Sequence, residues 1–314
     1  MKLLITRPLP DPVLAAARVR FDVTVRASTL PLDAAELRAA LCDYDVVLPT
    51  LRDMFSAAVF ADVAAPRAKL LANFGVGFNH IDIKAAAALG IAVTNTPGAV
   101  TDATADVAMT LLLMTARRAG EGERILRAGE WQGWHPTELL GAPVSGKTVG
   151  IIGMGRIGRA IAQRCHHGFG MQVIYHNRST ADAGVPAKQV TLPEALQADF
   201  VVIAVPGGPA TRHLINAEAL AHMAPHSILI NIARGDVVDE AALANALTSG
   251  QIASAGLDVY ENEPEITPAL LGLENVTLLP HLGTAVLETR TAMGMMAVNN
   301  LIAFQDGRPL PNPV

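Results

Sequence analysis

The chain is short of aromatic side chains (4%), of charge (17%) and of cysteine, and each shortage excludes something. Cys42 and Cys165 are its only cysteines. Two thiols make neither a disulfide framework nor a zinc cluster, so no metal is expected and a reducing cytoplasm is the expected setting. Lys and Arg number 24 against 29 Asp and Glu, a formal net charge of −5. The basic residues are scattered, which argues against a nucleic-acid partner and against a basic patch that would hold a membrane surface. No uncharged apolar run approaches the ~20 residues of a membrane span. The opening MKLLITRPLP carries an apolar run too short for a signal peptide and reads as a first strand.

What is abundant is aliphatic: 51% of the 314 residues are hydrophobic. Parallel sheets covered on both faces need such near-continuous apolar strands. The runs LLIT, FDVTV, DVVLP, KLLANF and IAVTN read as strands, with Ala-rich helical stretches between them. A long helical pattern from Thr101 to Arg127 follows, with a break expected near Gly120. After a Trp- and Pro-bearing loop, a second series begins: TVGIIG, MQVIYH, FVVIAV, SILINIA, SAGLDV and VTLLP. Alternation of this kind predicts α/β units with parallel sheets. A last helix is expected over about 285–305. The reading is two domains: 1–98 with 285–314, and 99–284.

Gly153, Gly155 and Gly158 give the spacing G-x-G-x-x-G between an apolar strand and an amphipathic helix. In that setting the first glycine makes the tight turn and the second admits a pyrophosphate. The third lets the helix pack on the strand. The helix amino terminus offers unpaired N–H groups to the anion. Dinucleotide binding is expected, unless the glycines serve close packing alone. The next strand ends in VIYHNRST, where an acid would hold the ribose of NAD. Here Asn177 removes the repulsion of a 2′-phosphate, and Arg178 and Ser179 can bind one. NADPH is the expected cofactor, with NADH possible; otherwise Arg178 lies over the adenine or points to solvent.

Five segments in order resemble the D-2-hydroxyacid dehydrogenase family, most closely its glyoxylate/hydroxypyruvate reductases: GVGFNHID, GKTVGIIGMGRIGRAIAQR, NIARGDVVDEAAL, LDVYENEP and LLPHLGTA. The resemblance implies two doubly wound parallel-sheet domains, a flavodoxin-like substrate domain and a Rossmann-type cofactor domain, with a cleft between. It implies hydride transfer between a nicotinamide and C2 of a small 2-oxo acid, such as glyoxylate or hydroxypyruvate. Arg234 then binds the substrate carboxylate, which a planar guanidinium does with paired bonds. On the residues alone, an ion pair with Asp236 is the other reading. His281 matches the acid, and Glu263 before Pro264 matches the carboxylate that favours the protonated ring. Asp258 corresponds to an Asp near the nicotinamide, or serves loop N–H groups.

Val76 and Gly77 match amides that bind the substrate carboxylate, and Leu51 and Arg52 border the same region. Arg156, Ile157, Val205, Pro206 and Ala233 complete the expected cofactor contacts. Trp134 in WQGWHP resembles a residue that enters the neighbouring subunit's site, which implies a homodimer; filling an interface is the plainer reading. Two alternatives remain: a broader or NAD-linked 2-oxo acid reductase, and a nucleotide-sensing binding protein like the carboxyl-terminal-binding corepressors.

Overall fold

Side chains of successive strand residues point to opposite faces, so each apolar run here feeds two cores. The computed structural model describes residues 1–314, which divide into two units: Met1–Val100 with Ala285–Val314, and Thr101–Thr284. In the first unit the elements run β1 (Lys2–Ile5), α1 (Asp11–Arg18), β2 (Asp22–Val25), α2 (Ala34–Asp43), β3 (Val46–Leu48), α3 (Ala57–Ala61), β4 (Leu70–Ala72), α4 (Ile83–Ala88) and β5 (Ala92–Thr94). All pair in parallel, in the order β2-β1-β3-β4-β5. Leu3, Ile5, Val46, Leu48 and Leu70 face one core; Leu4, Val47 and Leu71 face the other, with Phe55 and Phe60.

The second unit starts with α5 (Thr101–Ala116) and α6 (Ala119–Ala128). The helix breaks at Arg117 and Arg118, with Arg118 in the left-handed region (φ 51°), two residues before the Gly120 expected to break it. A turn of helix tolerates glycine at modest cost, so Gly120 sits inside α6. Then come β6 (Thr148–Ile152), α7 (Arg156–Gln163), β7 (Gln172–His176), β8 (Ala187–Gln189), α8 (Leu192–Leu196), β9 (Phe200–Ile203), α9 (Ala217–Leu220), β10 (Ile228–Asn231), α10 (Glu240–Thr248), β11 (Ser254–Leu257), α11 (Pro268–Leu271) and β12 (Val276–Leu278). The seven strands are parallel, in the order β12-β11-β10-β9-β6-β7-β8. The order reverses beside β6, and open sheets of this kind bind ligands beyond the carboxyl ends of the strands at that point. Strand β8 was not among the expected strands.

The same two-faced burial recurs. Ile152, Val201, Ile203, Leu229 and Leu257 form one core with α8, α9 and α10. Val149, Ile151, Val202 and Ile230 form the other with α5 and α7. The last helix, α12 (Leu287–Gln305), belongs to the first unit. Its Ala297, Val298 and Leu301 pack on β1, β3 and β4, and Gly294 lets it approach Val13 of α1. No helix is long and apolar enough to cross a membrane.

Candidate active site

The turn after β6 is shaped by what glycine lacks. Gly153 has φ +103°, and a Cβ there would lie 2.8 Å from the Ala204 and Val205 backbone. A Cβ on Gly158 would lie 2.1 Å from the Gly153 carbonyl oxygen. Space beside Gly155 is open, and Gly155 leads into α7 without a side-chain cap. The first amides of α7 are therefore free to meet an anion, as a pyrophosphate requires. Arg156 is exposed here, while Ile157 is half-buried.

At the end of β7 the Asn177 side chain faces this turn. Its Oδ1 accepts from the Met154 N–H (3.4 Å), its Nδ2 donates to the Ser179 carbonyl (2.8 Å), and its own carbonyl accepts from Gln189 Nε2 of β8 (2.9 Å). Arg178, Ser179 and Thr180 beyond it are exposed. Val205 and Pro206 follow β9, as the sequence places them.

Beyond β10 the chain turns at once. Asn231 stitches that turn: its Oδ1 accepts from the Ala233 N–H (3.0 Å) and its Nδ2 donates to the Arg234 carbonyl (3.0 Å). Arg234 donates to the Ala233 carbonyl (2.7 Å) and packs over Gly207, whose added Cβ would lie 2.6 Å from Arg234 Cγ. Burial pulls the guanidinium below its ordinary range, against the opposing charges of Glu263 and Asp236. Such a partly desolvated cation is strengthened as an anion binder.

His281 follows β12 with a left-handed backbone (φ 54°), a conformation that non-glycine residues adopt at a cost and often at functional sites. Its Nδ1 lies 2.9 and 3.1 Å from the two oxygens of Glu263, leaving Nε2 without a protein partner. Glu263 also accepts from the Tyr260 N–H (3.1 Å). Burial pushes the Glu263 carboxyl up, but the hydrogen bond and charge of His281, the Tyr260 amide and Arg234 leave it net below its ordinary value. A carboxylate held ionised beside an imidazole favours the protonated ring.

Asp258, at the end of β11, accepts from the Leu282 N–H (2.6 Å) and the Gly283 N–H (2.8 Å), which fixes the chain just after His281. Burial raises its carboxyl against the pull of the Leu282 amide and His281. Both of its oxygens thus serve loop amides. Tyr260 donates to the Leu279 carbonyl (2.8 Å), tying the loop that carries Glu263 to the strand end that carries His281.

In the first unit the loop Gly75–Asn79 follows β4. Asn73 Nδ2 donates to the carbonyls of Gly75 and Gly77 (3.0 Å each), and Asn95 Nδ2 donates to that of Val76 (2.9 Å). With the carbonyls tied back, the amides of Val76 and Gly77 have no partner within the chain. His80 is buried, its Nε2 3.0 Å from Asn73 Oδ1, so it supports the loop from within. Leu51 and Arg52 are half-buried in a turn where Arg52 has φ +74°. Buried Asp53 holds that turn, accepting from Thr6 Oγ1 (2.6 Å), the Thr50 N–H (3.0 Å) and the Leu32 N–H (3.1 Å). Trp131 and Trp134 are exposed, the latter 81%. Asn73, Asp53, Asn231 and Gly207 were not singled out from the sequence.

Comparison with known proteins bears on this arrangement. Residues 109–283 match the model of the D-isomer specific 2-hydroxyacid dehydrogenase, NAD binding domain. Over 100% of the chain and 95% of the relative, it is 44% identical to a glyoxylate reductase of Thermococcus onnurineus. A solved Thermus thermophilus protein superposes with a TM-score of 0.92 at 42% identity, covering 100% of both chains. An NADPH-dependent glyoxylate/hydroxypyruvate reductase of Sinorhizobium meliloti, solved with NADP and malonate, does so with a TM-score of 0.88 at 37% identity, covering 100% of this chain and 96% of that one. With more than half its length matched by the family model and full-length relatives above 40% identity, the chain belongs to the D-isomer specific 2-hydroxyacid dehydrogenases and is a nicotinamide-dependent oxidoreductase.

Proposed function

We propose that this enzyme reduces glyoxylate and hydroxypyruvate to the corresponding 2-hydroxy acids, with NADPH preferred over NADH. The observation that carries the cofactor preference is the end of β7, where Asn177 stands in place of an acid and Arg178 and Ser179 lie exposed beyond it. The relatives named glyoxylate reductase, and the NADP complex of the Sinorhizobium meliloti enzyme, support the reading. The open space at Gly155 and the uncapped amides of α7 fit a pyrophosphate. Ile157, Val205, Pro206, Ala233 and Asp258 complete the proposed cofactor contacts, with Arg156 at the phosphates.

When bound, the reduced nicotinamide supplies the hydride. The chain's own residues do the rest. Arg234 binds the substrate carboxylate and polarises the C2 carbonyl. In the first unit the proposed substrate contacts are the amides of Val76 and Gly77, which have no partner within the chain, with Leu51 and Arg52. His281 Nε2 donates a proton to the forming alkoxide. Glu263, on the ring's other nitrogen, orients the ring and sets a carboxylate against it. Loss of an acid of the His281 kind lowers rates ~100-fold or more. The exposure of Trp134 and Trp131 supports a homodimer in which this loop meets a second copy, because Trp is favoured at interfaces.

The test is initial rates on a panel of 2-oxo acids with each cofactor. Hydrogen bonds to a charged phosphate are worth ~1.5–3 kcal/mol, and every 1.4 kcal/mol is about tenfold. The exposed Arg178 belongs at the lower end, so NADPH should lead by about tenfold in kcat/KM. A higher kcat/KM with NADH would refute the preference; no turnover of glyoxylate would refute the substrate.

A further inference from the structure

Glu240 is a charged side chain that the proposed chemistry does not use, and it is only 3% exposed. It opens α10, six residues after Arg234, yet its carboxylate turns away from its own helix. One oxygen accepts from the Glu261 N–H at 2.7 Å; the other accepts from the Thr267 hydroxyl. Glu261 and Thr267 bracket the loop on which Glu263 sits, and Thr267 leads into α11. One carboxylate therefore ties both ends of that loop to the segment that begins with Arg234.

The contact is reinforced from two sides. A Cβ on Gly235 would lie 1.8 Å from the Tyr260 carbonyl carbon and 2.2 Å from the Glu261 nitrogen, so the turn after Arg234 rests directly on the peptide that Glu240 holds. The Glu261 carboxylate lies 2.7 Å from His213 Nε2 and 3.3 Å from an Arg212 nitrogen, while the His213 N–H donates to the Asp236 carbonyl at 2.8 Å. Three segments (211–215, 234–240 and 260–267) are thus laced together around one buried carboxylate. Burying a charge is costly unless it is fully hydrogen-bonded. Here both oxygens are satisfied, and an apolar replacement would leave the Glu261 amide and the Thr267 hydroxyl without their acceptor.

We propose that Glu240 is a positioning residue that sets the Glu263–His281 pair relative to Arg234 by fixing both ends of the Glu263 loop. This rests on the assignment of those three residues to the reaction. The groups facing His281 are Glu263 and Asp258, and the group facing Glu263 from the other loop is Arg234. Loosening the loop weakens the first contact and leaves the others in place, so the protonated ring loses its main support. Reduction needs that proton, so its alkaline limb moves to lower pH.

The experiment compares Glu240→Ala, Glu240→Gln, Thr267→Val and Glu263→Gln with the parent enzyme. It measures kcat and kcat/KM for glyoxylate reduction across pH, together with thermal unfolding. Glu240→Ala should lower kcat about tenfold and move the alkaline limb of kcat/KM down by about half a pH unit or more. Glu240→Gln can accept from the Glu261 N–H through its Oε1 and donate to the Thr267 hydroxyl oxygen through its Nε2, and should restore the limb. Thr267→Val removes one tie only and should shift the limb in the same direction by less; it carries the test if Glu240→Ala does not fold. A limb unmoved in Glu240→Ala or Thr267→Val, with only the melting temperature lowered, overturns the proposal. Glu263→Gln separates the two levels. If it moves the limb and the others do not, only the positioning role of Glu240 fails. If it leaves the limb in place, the assignment of Glu263 fails and this inference with it.

Discussion

Replacing Gly207 by alanine tests whether Arg234 acts through its placement. Gly207 lies in the loop after β9 and touches no other candidate catalytic side chain. An added Cβ would lie 2.6 Å from Arg234 Cγ and 3.1 Å from its Cβ, whereas ordinary contact starts near 3.4 Å. The arginine must therefore give way by about 0.8 Å at Cγ, or the loop must retreat by as much. A misplacement of about 1 Å at a reacting group costs up to ~100-fold in rate. The variant should show kcat/KM for glyoxylate lowered about 30- to 100-fold, because both substrate binding and carbonyl polarisation use the same guanidinium. Steady-state kinetics at saturating cofactor measures this. The stability read from thermal unfolding should fall by no more than the ~1–3 kcal/mol that local overpacking costs, which separates a displaced arginine from a lost fold. Rates within about twofold of the parent would refute the argument, for then either Arg234 can shift without cost or it does not hold substrate.

Removing charge at Glu263 has a directional consequence. An opposite charge at hydrogen-bond distance moves a titration by ~1–3 units; with both side chains partly exposed, Glu263→Gln should move the alkaline limb of reduction down by about one pH unit, and a uniform loss at every pH would refute the pairing. The same carboxyl sits below its ordinary 4.5 in the folded chain, so its contribution to stability is full above that value and fades as pH falls through the folded value. Glu263→Gln should accordingly flatten the acid side of a plot of melting temperature against pH. Of the two thiols, Cys42 is exposed, while burial pushes Cys165 up to about 12. A thiol reagent near pH 8 should titrate one group quickly and the second only after unfolding; two fast groups would contradict the packing around α7. Leu111→Ala, in the buried face of α5, should cost about 2–5 kcal/mol in denaturant unfolding.

Much of the fold is legible in the string because parallel strands covered on both faces are apolar without interruption. Eleven of the twelve strands lie within runs visible by eye. The exception, β8, is Ala-Lys-Gln at the edge of its sheet, with no apolar alternation and only partial burial; pairing with β7 defines it, and pairing leaves no local trace. Candidate site residues at strand ends were equally visible, since Arg234, Asp258 and His281 each follow an apolar run. The groups that hold them were not. Asn73 and Asn231 look like strand-terminal polar residues, and Glu240 like a helix-opening acid. Gly207 looks like one more loop glycine. Each acts on residues that the fold, not the local sequence, brings to it.

The arrangement at the end of β7 separates two kinds of evolutionary freedom. Asn177 is stitched to the phosphate turn through Met154 and to β8 through Gln189, whereas Arg178, Ser179 and Thr180 project into solvent with no sheet partner. Changes at 178–180 leave the scaffold's hydrogen bonds through Asn177 in place, whatever they do to a bound coenzyme. Position 177 is less free, because its side chain both accepts from the Met154 amide and donates to the Ser179 carbonyl. Aspartate would keep the first contact and lose the second, setting a carboxylate oxygen against the Ser179 carbonyl, so a change of charge at 177 carries a structural cost that changes at 178–180 do not.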